Sequence, residues 1–265
     1  MLNNLSIIIK GAGEMASGIA WRLYRAGFRN ISMLEIANPL AVRRTVCFCE
    51  AVYDSRTTVD GIEAILTTND QEMDTALAGK KIPVVVDPEW TTIARRKPQV
   101  VIDAILAKKN LGTRIDEADL VIGLGPGFVA GEDVDVVVET NRGPNGGRLL
   151  YRGSAEKNTG VPGKVMGIDR DRVLRAPAGG LFLEALTIGD SVKAGETVGH
   201  VGKVAVKAST SGIVRGLIRD GITVGEYLKI GDIEPRDNVD IALVSDKSLG
   251  LGGAVLEAVM AKFNI

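Results

Sequence analysis

The apolar run Ile7-Ile8-Ile9, closing on Lys10, passes directly into Gly11-Ala12-Gly13-Glu14-Met15-Ala16-Ser17-Gly18, after which Ile19, Leu23 and Tyr24 fall at helical spacing before Gly27. That order is strand, glycine turn, helix, and few folds accommodate it. Each small residue has a reason. Gly11 permits the sharp turn, Gly13 lets backbone N–H groups approach a pyrophosphate, and Ala16 allows the helix to lie close on the strand. Residues 31–35 read as a second strand ending in Glu35, placed about twenty residues on to accept hydrogen bonds from a ribose diol. The same turn also occurs in folds that hold no ligand.

The alternation continues. Residues 62–66 read as a strand followed by Asn69, a helix N-cap with Glu72 three residues later. Residues 82–86 are unbroken apolar, as in a parallel strand buried on both faces, and residues 100–102 and 120–123 repeat the theme. Strands separated by helical segments imply right-handed crossovers and a doubly wound sheet. Beyond Asp133 the pattern turns antiparallel and loop-rich. From Val173 a duplication emerges: residues 188–201, IGDSVKAGETVGHV, resemble residues 219–230, RDGITVGEYLKI. The expectation is therefore an α/β chain with three parts. A Rossmann-like, mainly parallel sheet spans residues 1–165, a small all-β barrel-sandwich domain of the biotinyl/lipoyl type spans 166–245, and a C-terminal helix, 246–265, packs on the body. The carrier lysine of such domains belongs near Val201; Lys203 is close but misplaced, which points to a structural or docking version.

Composition narrows the chemistry. With 32 Lys and Arg against 33 Asp and Glu, a net charge of -1 gives no electrostatic footprint for nucleic acid or an anionic membrane. One histidine, His200, lies in what reads as a hairpin turn, which removes most zinc enzymes and Ser-His-Asp hydrolases. Cys47 and Cys49, the two cysteines, read as small buried hydrophobes in a reducing compartment, and no metal motif accompanies them. No signal peptide and no membrane span is read, so the expected location is cytoplasmic.

Several groups gather at the expected carboxyl edge of the sheet, where open α/β sheets bind ligands. Arg43 and Arg44 are candidates to clamp phosphate, or else form a solvated basic turn. Asp87 and Asp103 end successive strands, although Asp87 before Pro88 is also a ready helix cap. Gly125 and Gly127 form a second anion-friendly turn after the strand at 120–123. Two such turns, two arginines and two aspartates on one rim point to a phosphate-bearing small molecule.

Taken together, KGAGEMASGIAWRLYRAGF, EIANPLAVRRTVCFCEAVYDS, VVVDPEW, VIDAILAKKN, VIGLGPGFVAGEDVDVVVETNRG, GSAEKNTGVPG and KIGDIEPR resemble the YqeB family. The resemblance covers nearly the whole chain. It implies an accessory factor of selenium-dependent molybdenum hydroxylases that handles the molybdopterin cofactor or its selenium ligand, with the hydroxylase as client; joined to the glycine turn, the expected ligand is a molybdopterin dinucleotide or related nucleotide. It also exposes a departure: Pro144 stands where the family pattern carries a histidine. Two other readings stay open, an NAD(P)-dependent oxidoreductase of undetermined substrate and a ligand-free scaffold. A homo-oligomer is open as well.

Overall fold

The computed structural model describes residues 4–158, 160 and 165–264, which form two compact units. The first comprises Met1–Pro39, Val46–Asn158 and Val244–Ile265; the second comprises Leu40–Thr45 and Thr159–Leu243.

The first unit is built on a nine-stranded sheet. In chain order its elements are β1 (Ile7–Lys10), α1 (Glu14–Arg25), β2 (Ile31–Glu35), α2 (Ala51–Asp54), β3 (Arg56–Val59), β4 (Ile62–Thr67), α3 (Asp70–Ala78), β5 (Ile82–Val86), α4 (Thr91–Arg96), β6 (Val100–Asp103), β7 (Leu120–Leu124), β8 (Val136–Val138) and β9 (Leu149–Leu150). The strand order is β3-β4-β5-β2-β1-β6-β7-β8-β9. The seven strands from β4 to β8 are parallel, and antiparallel β3 and β9 close the two edges. The central strands are buried on both faces: Ile7, Ile8, Ile9, Val100, Val101 and Ile102 are all essentially inaccessible. That double burial explains why their sequences are continuous apolar runs without alternation.

This corrects the expectation of a Rossmann-like doubly wound sheet followed by a barrel-sandwich. The sheet is mixed, and the helix-for-every-crossover rule fails on one side of it. The chain passes from β6 to β7, and from β7 to β8, without any helix. Leu106, Lys108, Gly112, Gly125, Gly127 and Gly131 adopt positive φ in these connections, a conformation that breaks helical continuity. The place of a crossover helix is taken from the other end of the chain: α5 (Asp246–Phe263) lies along α1. Gly18 and Gly252 allow the approach. A Cβ on Gly18 would stand 2.4 Å from that of Ser248, and one on Gly252 would stand 2.7 Å from that of Arg22. No helix among the described residues is long and apolar enough to cross a membrane.

The second unit contains β10 (Val173–Arg175), β11 (Gly180–Glu184), β12 (Ser191–Val192), β13 (Thr197–Val201), β14 (Val204–Lys207), β15 (Gly212–Leu217), β16 (Thr223–Val224) and β17 (Lys229–Glu234). They form two separate antiparallel sheets, β10-β17-β15-β12 and β14-β13-β11-β16. The duplicated segments each supply a two-residue strand and then a longer one, and the pairs change sheets: β12 and β17 lie in one, β13 and β16 in the other. Phe182, Val198, Val214, Leu217, Ile230 and Ile233 are buried in this unit's core. His200, expected in a turn, is an exposed residue of β13.

Candidate functional site

Because β4 to β8 run parallel, their carboxyl ends fall on one edge of the sheet. Register brings particular side chains together there: Lys10 stands opposite Asp103, and Asp103 opposite Gly123.

At the opening turn, Gly11 takes φ +89°, and its N–H donates to the carbonyl of Leu34 at 2.7 Å. The Glu35 carboxylate holds the turn from outside, accepting from the amides of Ala12 and Ile36, each at 2.8 Å. Burial pushes the Glu35 carboxyl above its ordinary value, against the pull of those two amides. Ala16 is fully buried where α1 meets the sheet. Gly13 is the N-cap of α1. It carries no side-chain cap, and a Cβ built on it would meet nothing within 4 Å. The turn is thus shaped by Gly11 and Glu35 and left open at Gly13.

The segment carrying the two cysteines lies against this turn. Cys49 N–H donates to the Ala12 carbonyl at 2.9 Å, and Phe48 N–H to the hydroxyl of Ser17 at 2.8 Å. Both thiols are buried. A hydrogen bond with Cys49, and then burial, push the Cys47 thiol well up, which keeps it in the unreactive protonated form.

At the centre of the edge lies a buried polar network that the sequence reading missed. Lys10 is fully buried. Its Nζ donates to Thr113 Oγ1 at 2.7 Å, pairs with the Glu117 carboxylate at 2.7 Å, and stands 3.7 Å from the centre of the Trp90 ring. Thr113 passes the link on, its hydroxyl donating to Asp103 Oδ2 at 2.7 Å, while Asp103 Oδ1 accepts from the Ile105 amide. Burial drives both groups toward neutrality. It lowers Lys10, with Glu117 and Asp103 pulling back, and it raises Asp103, with Thr113, the Ile105 amide and Lys10 pulling back. A charged residue ending an otherwise apolar central strand was the available signal. Trp90 and Glu117 also line a cleft of about 900 Å³ that runs along α4 past Gly112 and Arg114.

Asp87 serves as a helix cap: its carboxylate accepts from the amides of Thr91 and Thr92 at 3.1 and 2.7 Å. Burial raises its carboxyl, but the contacts to Thr92 and Thr91 outweigh this and leave it below the ordinary value. Gly125 and Gly127 face the chain itself. A Cβ on Gly125 would meet Thr140 Oγ1 at 2.6 Å, and one on Gly127 would meet the backbone of Lys109 at 2.6 Å. Arg43 and Arg44 belong to the second unit. Arg43 donates to the carbonyls of Ile241 and Leu243 at 3.0 and 3.1 Å, Arg44 donates to that of Leu217 at 2.9 Å, and Arg44 also pairs with Glu184. The structure therefore brings Gly11, Gly13, Ala16 and Glu35 together at one turn, and turns Asp87 and the two arginines to other work.

Beyond β8 the same edge carries a smaller pocket, about 210 Å³, lined by Glu139 to Gly143, Gly146, Gly147 and the first turns of α5. Pro144 lies in this loop, its carbonyl accepting from Arg148 Nε at 3.2 Å. Among the described residues, no group of three or more His, Cys, Asp or Glu is arranged to hold a metal ion.

The uncharacterized protein YqeB of Escherichia coli (strain K12) is 49% identical over 255 residues, which is 96% of this chain and 47% of that protein. This chain belongs to the YqeB family. It spans about half the length of the curated relative it matches. No protein-family model matches the chain. Among solved structures, an aspartoacylase family protein from Mesorhizobium loti aligns at 13% identity over 87% of this chain and 84% of that one, with a TM-score of 0.25. The product-bound ectoine utilization protein EutE (DoeB) from Ruegeria pomeroyi aligns at 10% identity over 87% and 85%, with a TM-score of 0.27. At such scores these alignments say nothing about what the YqeB-family chain does.

Proposed function

We propose that this YqeB-family chain is a cytoplasmic accessory factor in the maturation of a selenium-dependent molybdenum hydroxylase, and that it holds a phosphate-bearing ligand, a molybdopterin dinucleotide or a related nucleotide, at the carboxyl edge of its large sheet. The observation that carries the reading is the start of α1. A twelve-residue helix begins there behind a glycine with no side-chain cap and with open space at its Cβ position. Helix amides in that setting, at the positive end of the macrodipole, favour an anionic oxygen. In this reading Gly11 and Ala16 shape the turn, Gly13 admits the phosphate, and Glu35 holds the Ala12 amide in place or exchanges it for a ribose hydroxyl.

Gly13→Asp separates ligand binding from folding. Its φ of -72° suits any residue and nothing obstructs the new side chain. Asp is also a better N-cap than Gly, by a few tenths of a kcal/mol. The variant is expected to melt at or slightly above the parent temperature, while binding of molybdopterin dinucleotide measured by calorimetric titration falls by at least about tenfold, or about 1.4 kcal/mol. Parent protein that binds neither this ligand nor NADH in the titration refutes the reading.

A further inference from the structure

Two lysines along the carboxyl edge differ in one respect. Lys10 is fully enclosed but has a hydroxyl, a carboxylate and an aromatic face around its ammonium. Lys247, half-buried on α5, makes no hydrogen bond or ion pair among the described residues.

Its surroundings explain why. Lys247 is the second residue of an eighteen-residue helix, so it sits at the positive end of the macrodipole, where a cation is disfavoured. It lines the 210 Å³ pocket with Arg142, a second cation. The acids nearby are Glu139 after β8, Glu14 on α1 and Asp246 on its own helix. Glu139 spends one carboxylate oxygen on the Asn141 amide, at 2.6 Å, and the other on the Glu156 amide, at 2.7 Å. Asp246 pairs with Arg142 at 3.1 Å. Burial and then Arg142 hold the amine below the ordinary lysine value, against the pull of Glu14, Glu139 and Asp246. A lysine desolvated beside another cation is a standard way of obtaining a neutral, nucleophilic amine.

We infer that Lys247 is a carbonyl-reactive amine, and that its pocket takes a small aldehyde or 2-oxo acid whose carboxylate Arg142 meets. The pocket's volume favours a compound of a few carbons, since nucleotide-sized ligands occupy clefts several times larger. The neutral Nζ attacks the carbonyl carbon and forms the C–N bond. The carbonyl electron pair moves to oxygen, which takes up the proton released from nitrogen to give a carbinolamine. Loss of that hydroxyl as water, with the remaining N–H proton leaving nitrogen, yields the C=N bond of an imine. No oxidant or reductant is consumed.

The test uses the intact chain, glyoxylate as probe, cyanoborohydride to trap the imine, and peptide mapping to read every lysine in one digest at neutral pH. Lys247 is expected to label several-fold faster than the exposed Lys203 and Lys262, because an amine held below the ordinary lysine value carries more free base at neutral pH. Arg142→Gln removes the neighbouring cation. It is expected to slow labelling at Lys247 several-fold while the exposed lysines in the same sample keep their rates, a comparison that does not depend on the Gly13 ligand. Labelling of Lys247 no faster than that of the exposed lysines, or a rate indifferent to Arg142→Gln, overturns the assignment.

Discussion

Residues of one type take different roles in this chain according to what surrounds them. Lys10 and Glu117 form a charged pair with side chains 0% and 8% exposed, while Arg114 and Asp116, a few residues away, pair with 71% and 70% exposed. Removing one partner of a buried pair strands the other charge in a medium that solvates it poorly. Glu117→Ala is therefore expected to cost about 3–5 kcal/mol by urea denaturation, the range for breaking a buried pair. Asp116→Ala, at an exposed pair, is expected to change stability by no more than about 1 kcal/mol. Equal effects would mean that the Lys10 network is solvated in solution. Sequence identified Asp103 as an edge residue, but not its partner. Thr113, the hydroxyl that joins it to Lys10, lies ten residues further along a connection without a helix, and no local pattern announces that bond.

At the level of elements, the pairing of α1 with α5 joins segments more than two hundred residues apart through small side chains. Ala is the better helix former, by about 1 kcal/mol over Gly, so propensity alone favours replacing either helix glycine. Gly18→Ala nevertheless drives a Cβ into Ser248, and overpacking of this kind typically costs about 1–3 kcal/mol. Gly253→Ala on α5 meets nothing within 4 Å. Thermal melts are expected to show a lower midpoint for the first variant and a raised one for the second; a raised midpoint for both would show that α5 is not held against α1. The strands were readable because their apolar runs reflect burial on both faces. The missing crossover helices were not, since the alternation of strands is compatible with either a helix or a well-bonded loop between them.

At the level of the whole molecule, the chain enters the second unit twice, once through Leu40–Thr45 and again from Thr159. The short first visit is held by Arg43, 4% exposed, whose guanidinium satisfies the carbonyls of Ile241 and Leu243. Hydrogen bonds to a charged group contribute about 1.5–3 kcal/mol each. Arg43→Ala is expected to destabilise the second unit by about 2–4 kcal/mol. Hydrogen exchange followed by mass spectrometry should show faster opening across residues 165–243, with the central strands of the large sheet unchanged. Uniform acceleration in both units would instead mean that they unfold as one body.

The sequence alone determined the strand, glycine turn and helix that open the chain, the buried strands, and the duplication whose halves reappear in two sheets, because these follow from local steric freedom and from periodicity along the chain. It also carried the family resemblance. Tertiary structure decided the rest: a mixed sheet where a doubly wound one was expected, α5 in the place of a crossover helix, arginines satisfying distant carbonyls, and one lysine bonded to a hydroxyl and a carboxylate while another stands beside an arginine. Those outcomes depend on which groups separated by a hundred or more residues come within 3 Å of each other, and burial makes each such meeting count.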